Sequence, residues 1–417
     1  MHADLTNDKK YLKILFMTSD KYPLFRPAAR AIFSEELIGR GHKIDFILQA
    51  AKSCYNAYTI PLDEGLVYIG PTDDGESRLR RLKKHLLDIK NDLRMFRLLR
   101  KTHYDLIQVK DKYISALLAI IAAKLGKAKF FYWIAFPHPE ASIYRAKECV
   151  ARYRFYYFLR GLFFEQLLYH VILPLSDHIF VQSDQMKKDI AGKGISEEKM
   201  TPIPGSLNLK NIPFKTNSNE NLALVTSDEK RIVYLGTLNR MRKLDFLIRA
   251  LEKVLVQLPN SKLYLIGKGD MPEDEETLKA EVARLGIRDA VEFMGYLPMK
   301  IAWEYIRYAD VCVSPYYPTP ILNSTSPTKL IEYMAMGKPV VLNNHPEQRL
   351  IASESGAGIC VDWHEGAFAE AIVAILMNPK MANEMGIKGR QYVEKFRTSR
   401  VMADIVENQY LSVCQNR

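Results

Sequence analysis

An alternation of short apolar runs with helical patterns goes through this chain twice, and few folds can satisfy it. YLKILFMTSD at residues 11–20 opens with an apolar strand, a helical pattern follows from Ala28 to the turn Gly39-Arg40-Gly41-His42, and KIDFIL is a second strand. DLIQV (Asp105 to Val109), FFYWI (Phe130 to Ile134) and HIFV (His178 to Val181) continue the series, with a helix expected over Ile114 to Leu125. The rhythm restarts at Arg231 with RIVYLG, a helical pattern over Leu244 to Leu258, KLYLIG, a helix from about Glu275, VEFMG, a helix around Ile301 to Tyr308, ADVCVSP, a further helix and KPVVLNN. Alternating elements of this kind build a parallel sheet with helices on both faces. The polar, Asn-rich stretch Ser206 to Lys230 separates the two series as a linker. The expected division is therefore 1–205, a linker at 206–230, and 231–395. Ligands of such sheets sit outside the carboxyl ends of the strands, so the site is expected to face a cleft between the halves.

Length and cysteine usage agree with an ordinary two- or three-domain globular chain: 417 residues with five scattered cysteines (Cys54, Cys149, Cys312, Cys360, Cys414) and no CxxC pair. Reduced thiols in a cytoplasmic protein are expected. MHADLTNDKK lacks the apolar core of a secretory signal. The longest apolar tract, Phe155 to Leu173, carries Arg160, Glu165, Gln166 and His170 on different faces, which favours a helix buried between neighbours over one dipping into a membrane surface.

Charge is unevenly placed. Residues 1–200 hold 33 Lys/Arg against 23 Asp/Glu, a balance of +10, whereas residues 201–417 hold 26 against 25, a balance of +1. The excess peaks in Arg78 to Lys101, with ten basic and two acidic residues around an apolar spacing of Leu82, Leu86, Ile89, Leu93, Phe96 and Leu99. Two readings stand open: a solvated outer helix, or a basic amphipathic helix facing an anionic membrane surface on the inner face of the membrane.

The most informative stretch is NSTSPTKLIEYMAMGKPVVL from Asn323. Ser326 is a candidate N-cap, Pro327 suits the first helical position, and Gly337 followed by Pro339 ends the helix. The first turn, with Thr328 and Lys329, offers free N–H groups and the positive end of the dipole to a phosphate or diphosphate. Lys329 brings a cation to the end where its own helix gains nothing from one. Glu332, one turn on, can accept two hydrogen bonds from ribose hydroxyls. The structural alternative is a local Lys329–Glu332 ion pair.

SPTKLIEYMAMGKPVV resembles the donor-site helix of glycosyltransferase family 4, whose members have the GT-B fold, two Rossmann-like domains facing across a central cleft. YLGTLNRMRKLDFLIRAL, LYLIGKGD, VEFMGYLP and YADVCVSPYY are similar to further segments of that family in the expected order, and GRGHKIDFIL and DHIFVQSDQMKKDI are similar more weakly. The resemblance covers nearly the whole chain. It implies a retaining transfer of a sugar from a nucleotide-diphosphate donor to a glycan or lipid-linked acceptor, in polysaccharide biosynthesis, with the C-terminal helix 396–417 packing back on the first domain.

By position, it implies that Glu332 holds the donor ribose and that the Thr328 and Lys329 amides after Pro327 hold the diphosphate. Arg240, Arg242 and Lys243 compete for the family's phosphate-binding lysine, Gly295-Tyr296-Leu297 flanks the base, and His138 falls at the family's cleft histidine. The sequence departs from the pattern at Ser324, where an acidic residue contacts the donor sugar, and at Thr237, where an arginine is usual. It also lacks glycine in the first strand-to-helix turn, where Arg26 and Arg30 are the available charges. Neither a metal nor another cofactor is expected, since the leaving charge can be met by Lys, Arg and helix N-termini. Asp73-Asp74 reads as a turn, and the acidic run Glu273 to Glu276 as a helix start. An epimerase or a phosphorylase of the same architecture is the neighbouring alternative. A nucleic-acid-binding protein is a more distant one, without a supporting motif.

Overall fold

The computed structural model describes residues 11–23, 29–73, 75, 77–148, 153–212 and 228–415. The polar N-terminal stretch, Arg26, Asp74, Cys149 and residues 213–227 of the expected linker lie outside these. The chain forms two compact units, one of residues 1–204 with 399–417 and one of residues 205–398.

The first unit is built on strands β1 (Lys13–Tyr22), β2 (Lys43–Ala50), β3 (Tyr58–Leu62), β4 (Gly65–Gly70), β5 (Leu106–Lys110), β6 (Lys129–Ile134), β7 (His178–Val181) and β8 (Met200–Pro202). They lie in the order β3-β4-β2-β1-β5-β6-β7-β8. All neighbours are parallel except β3 and β4, a hairpin absent from the sequence reading. Its strand Tyr58–Leu62 is mostly solvated and carries Pro61, so the apolar signal of a buried strand is missing. β1 pairs with both β2 and β5, which places the topological switch between β1 and β5. The C-terminal helix Ser399–Gln415 buries Met402, Val406 and Tyr410 in the core on one face of this sheet. Its Glu407 is held by Arg40 at 2.6 Å and His42 at 3.0 Å.

The second unit holds β9 (Lys230–Leu235), β10 (Ser261–Ile266), β11 (Val291–Gly295), β12 (Val311–Ser314), β13 (Val340–Asn343) and β14 (Gly358–Val361). Their order is β11-β10-β9-β12-β13-β14, all parallel, with the switch between β9 and β12. Gly236 and Gly267, just past two adjacent strand ends, have φ of +152° and +145°. A Cβ on Gly267 would sit 1.8 Å from the Gly236 carbonyl oxygen, so only glycine lets these two turns cross.

Two expectations are corrected. The tract Phe155 to Leu173 is buried only in its second part: Leu168, Tyr169, Ile172 and Leu173 join the core, whereas in helix Arg154–Leu167 only Gly161 is buried. The lack of a side chain at Gly161 lets this helix approach the preceding one closely, since a Cβ there would meet Ile143 at 2.6 Å. Phe155, Tyr156, Leu159 and Phe163 consequently face solvent.

The basic stretch is two helices, Arg78–Asp92 and Arg94–Lys101, broken at Leu93. Met95 with Phe96 and Leu99 joins the core, while Leu79, Leu82, Leu86 and Leu93 stay exposed. The break rotates the second apolar stripe inward relative to the first. The inner side of the first helix is fixed by polar contacts instead, Asn91 donating to Leu48 O at 2.9 Å and Gln49 to Lys84 O at 3.1 Å. Among the described residues no helix is long and apolar enough to cross a membrane.

Candidate active site

The switch of the second unit gathers half of the expected residues around helix Thr328–Ala335. Two details of its start differ from the sequence reading. Pro327 is the capping residue, with a non-helical ψ of 89°, rather than the first helical residue. Ser326 does not cap. Its hydroxyl accepts from Gly205 N at 2.8 Å and donates to Glu347 at 2.9 Å, and Glu347 in turn meets Arg397 at 3.0 Å. These longer-range partners outcompete the local cap and anchor the loop from behind. No side chain caps the helix among the described residues, so its first-turn N–H groups remain available to an anion. At the other end Gly337 has φ +69°. Its N–H bonds Met334 O at 2.9 Å, and Lys338 N–H bonds Tyr333 O at 3.0 Å, a Schellman close.

Lys329 is buried, and the pair with Glu332 is not formed: among the described residues no carboxylate lies within salt-bridge distance of its ammonium. That nitrogen sits 4.2 Å from the Tyr234 ring centre and 4.6 Å from that of Tyr316. Burial, reinforced by Arg242, pulls its pKa well below the usual lysine value against the opposing pull of Glu332. Glu332 is half-buried, and burial raises its carboxyl to about 7 against the opposing effect of Lys329. The guanidinium of Arg242 lies 4.7 Å from the Tyr316 ring, with Nη1 buried and lacking a hydrogen-bond partner. Among the described residues, a cation without a counter-ion and a buried guanidinium nitrogen without an acceptor thus meet over one tyrosine, at an uncapped helix start. Each deficiency is of the kind an anion repairs.

The rest of the basic loop separates clearly. Arg240 is exposed and reaches Asp274 at 3.5 Å. Lys243 is exposed and left-handed, φ +50°, closing the turn Arg240–Arg242. Of the three competing basic residues, Arg242 is the one that meets Lys329 over Tyr316. Thr328 is exposed at the helix start. Ser324 is buried, its hydroxyl turned back to Pro320 O at 3.2 Å, while the amide oxygen of neighbouring Asn323 is buried without a hydrogen-bond partner. Gly295 ends β11 with φ +64°, Tyr296 is exposed, and Leu297 packs into the core. Gly295 is the last residue of β11, an edge strand of this sheet, and Tyr296 and Leu297 follow it. His138 belongs to the first unit, exposed at the first position of helix His138–Lys147 just beyond β6, its ring edge-on to Phe136 at 5.0 Å. Arg30 is engaged by Glu35 at 3.3 Å and Asp73 by Lys83 at 3.0 Å. Glu273, Asp274 and Glu275 occupy the first turn of helix Pro272–Arg284, with Asp274 accepting from Met271 N at 3.0 Å.

The sequence reading missed the residues that hold this cluster. Tyr234 is buried on β9, and Tyr316 follows β12. Asn343 clamps the backbone of Tyr316 from both sides, at 2.6 and 2.8 Å. His345 donates to Leu322 O at 2.8 Å, and burial depresses its pKa to about 4, so the ring is neutral. The one available signal was NNHPEQ, a capping residue before Pro346 immediately after a strand.

Residues 217–392 match the family Glycosyl transferases group 1, and residues 32–211 match Glycosyltransferase Family 4. An uncharacterized glycosyltransferase of Methanocaldococcus jannaschii is 35% identical over 122 residues, covering 29% of this chain and 28% of its own. A D-inositol 3-phosphate glycosyltransferase of Acidothermus cellulolyticus is 25% identical over 160 residues, 37% of this chain and 35% of its own. The matched segments thus span only about a third of these relatives' lengths. Among solved structures, sucrose-phosphate synthase of Thermosynechococcus elongatus superposes with TM-score 0.74 at 20% identity, over 97% of this chain and 100% of the other. Anabaena HepE in complex with UDP superposes with TM-score 0.68 at 15% identity, over 96% and 100%.

Proposed function

Because the chain belongs to the family 4 glycosyltransferases of GT-B fold, we propose that it transfers a sugar from a nucleoside diphosphate donor to a glycan or lipid-linked acceptor, with retention of anomeric configuration. The observation that carries the reading is Lys329, a buried lysine with no counter-ion among the described residues, at a helix start that none of them caps. In the transfer the bond from the anomeric carbon to the diphosphate oxygen breaks, and its electron pair leaves with the diphosphate. The acceptor hydroxyl forms the new bond, and its proton passes to the departing diphosphate oxygen. Lys329, Arg242 and the first-turn N–H groups at Thr328 and Lys329 meet the charge that grows on the leaving group. This electrostatic role asks nothing of a metal. Glu332 accepts from the ribose hydroxyls, Asn323 faces the sugar, and the Gly295–Leu297 turn flanks the base. Arg78 to Lys101 is the basic approach of the first unit to an anionic membrane surface. HepE, a fold neighbour, holds UDP, which supports the class of donor.

The test is thermal unfolding with a panel of nucleoside diphosphates. One of them should raise stability by about 2.7 kcal/mol at a hundredfold excess over Kd, and its sugar conjugate should support transfer with EDTA present. Stabilisation by none of the panel, or abolition of transfer by EDTA, overturns the reading.

A further inference from the structure

The helical layer on one face of the first sheet presents apolar side chains outward from three neighbouring helices. On Arg78–Asp92, Leu79, Leu82 and Leu86 fall at i, i+3 and i+7, a single stripe, and Leu79 is 80% exposed. On Arg154–Leu167, Phe155, Leu159 and Phe163 fall at i, i+4 and i+8, with Phe155 75% and Phe163 60% exposed. Helix Tyr113–Gly126 lies between, with Ile121 and Leu125 exposed. Its two neighbours are tied to its start. Lys112 bonds Asp88 at 2.9 Å on one side, and Tyr113 packs on Phe164 at 4.9 Å on the other.

Leucine and phenylalanine held in water at this density are costly for a soluble face. The surroundings say what covers them. Lys83 and Lys90 follow Leu79 and Leu86 by one turn each, and Arg97, Arg100 and Lys101 are exposed on the next helix. Both acidic residues of that stretch, Asp88 and Asp92, are instead spent on Lys112. Outward apolar stripes bordered by basic residues, with the acids turned in, match an anionic bilayer rather than a protein of mixed charge.

We propose that this layer is an interfacial membrane-docking surface in which helix Arg154–Leu167 inserts its aromatic stripe among the headgroups while the Arg78–Lys101 helices supply the attraction to anionic lipid. The inference deepens the reading of a lipid-linked acceptor and rests on it for its purpose, though not for its measurement.

The experiment is co-sedimentation of the full chain with phosphatidylglycerol/phosphatidylcholine vesicles and with pure phosphatidylcholine vesicles, across a salt series. The wild type should bind the first kind and release with salt. Phe155→Ser/Leu159→Ser/Phe163→Ser should lose on the order of tenfold or more in partitioning. Lys90→Glu/Arg97→Glu/Lys101→Glu should lose roughly fivefold per residue at low salt. Both should keep the wild-type melting curve and its stabilisation by nucleoside diphosphate. That second readout separates failure of docking from failure of the transferase reading. Phe155→Trp, a single conservative change, should gain fluorescence quenching by brominated lipid relative to wild type, which keeps the test available if the triple variant misfolds. Equal binding by the triple variant, no added quenching at position 155, or a dimer that the same substitutions dissociate would overturn the proposal, the last in favour of a second copy on this face.

Discussion

Each unit buries a lysine beside the topological switch of its sheet, Lys110 at the end of β5 and Lys329 on the helix between β12 and β13, and the two are treated in opposite ways. In the first unit Lys110 ends β5 and bonds Asp20 at 2.9 Å, both side chains 2% exposed, with Trp133 beneath the ammonium at 4.9 Å. Next to it, Lys112 is shared by Asp88 and Asp92. Asp92 and Asp88 hold the Lys112 pKa above its usual value although burial alone would lower it, and burial raises Asp92 to about 6. In the second unit Lys329 has rings around it and an arginine nearby, and its pKa is driven down. A paired lysine is complete within the fold. One left with aromatic faces alone carries a desolvation cost that the protein does not recover until something anionic arrives. Position in the sheet nominates both sites, and only the charge balance separates them.

The comparison breaks most visibly in stability. Lys110→Met takes the buried ammonium away from Asp20 and should cost about 3–5 kcal/mol. Lys329→Met removes an uncompensated charge and should leave the unliganded protein as stable as before or more so. Urea denaturation of both variants measures this, and an equal loss in the two would mean that Lys329 is structural.

Activity should show the reverse ranking. Lys329→Ala and Arg242→Ala should each lower transfer by about 100- to 1,000-fold, the usual scale for removing one donor from a developing anion. Lys110→Met, where it remains folded, should be far milder. Lys243→Ala should also be milder than Arg242→Ala, because Lys243 is exposed and its backbone serves the turn. Rates are to be compared with EDTA present. Parity of Lys243 and Arg242 would mean that the loop rearranges around the donor.

This also marks how far the sequence could be read. The helix Thr328–Ala335 was legible because its punctuation is local: a proline before it, a glycine and a proline after it, and a lysine and a glutamate on its first turns. The doubly wound order was legible because β–α alternation leaves few topologies. What decides the chemistry was not. Ser326 reads as a cap and is used over more than a hundred residues of sequence separation by Gly205. Arg242 could not be told from Arg240 and Lys243, since the difference lies in Tyr316, which Asn343 places from another strand. The tract from Phe155 read as buried because it is apolar on several sides; Leu168 to Leu173 do supply core residues, whereas the helix before them rests on its neighbours at Gly161 and Phe164 and leaves most of its apolar residues outward. Misreadings of this kind arise where a long-range partner overrides a local pattern.

Glu332 sharpens the comparison from the acid side. Two hydrogen bonds from ribose hydroxyls to a carboxylate are worth about 1.5–3 kcal/mol. Glu332→Ala should therefore weaken donor binding by about 10- to 100-fold while the melting curve holds. Unchanged affinity with a normal melt would remove Glu332 from the site.

The smallest effect is the most specific to an unpaired lysine. Binding a diphosphate beside Lys329 favours its protonated form, so the lysine pKa rises from its depressed value when the ligand binds. Between the free and bound values the complex holds more protons than the free protein. Affinity must then fall as pH rises through that window, by at most about 1.4 kcal/mol per pH unit for one proton. Folding of the unliganded protein has the opposite sign. The unfolded chain holds the proton more tightly than the buried Lys329 does, so this residue makes stability rise with pH between its depressed value and the unfolded one of 10.5. Glu332, raised to about 7 from 4.5, contributes stability that is full below the unfolded value and is lost as pH rises toward 7. The lysine signal is therefore to be read above pH 7, once Glu332 has titrated. Calorimetry of nucleoside diphosphate binding in buffers of different ionisation heat counts the protons directly. Wild type should take up a fraction of a proton in mildly alkaline buffer and Lys329→Ala none. Uptake that survives in the variant would assign the linkage to another group and end the case for Lys329 as the site's unpaired cation.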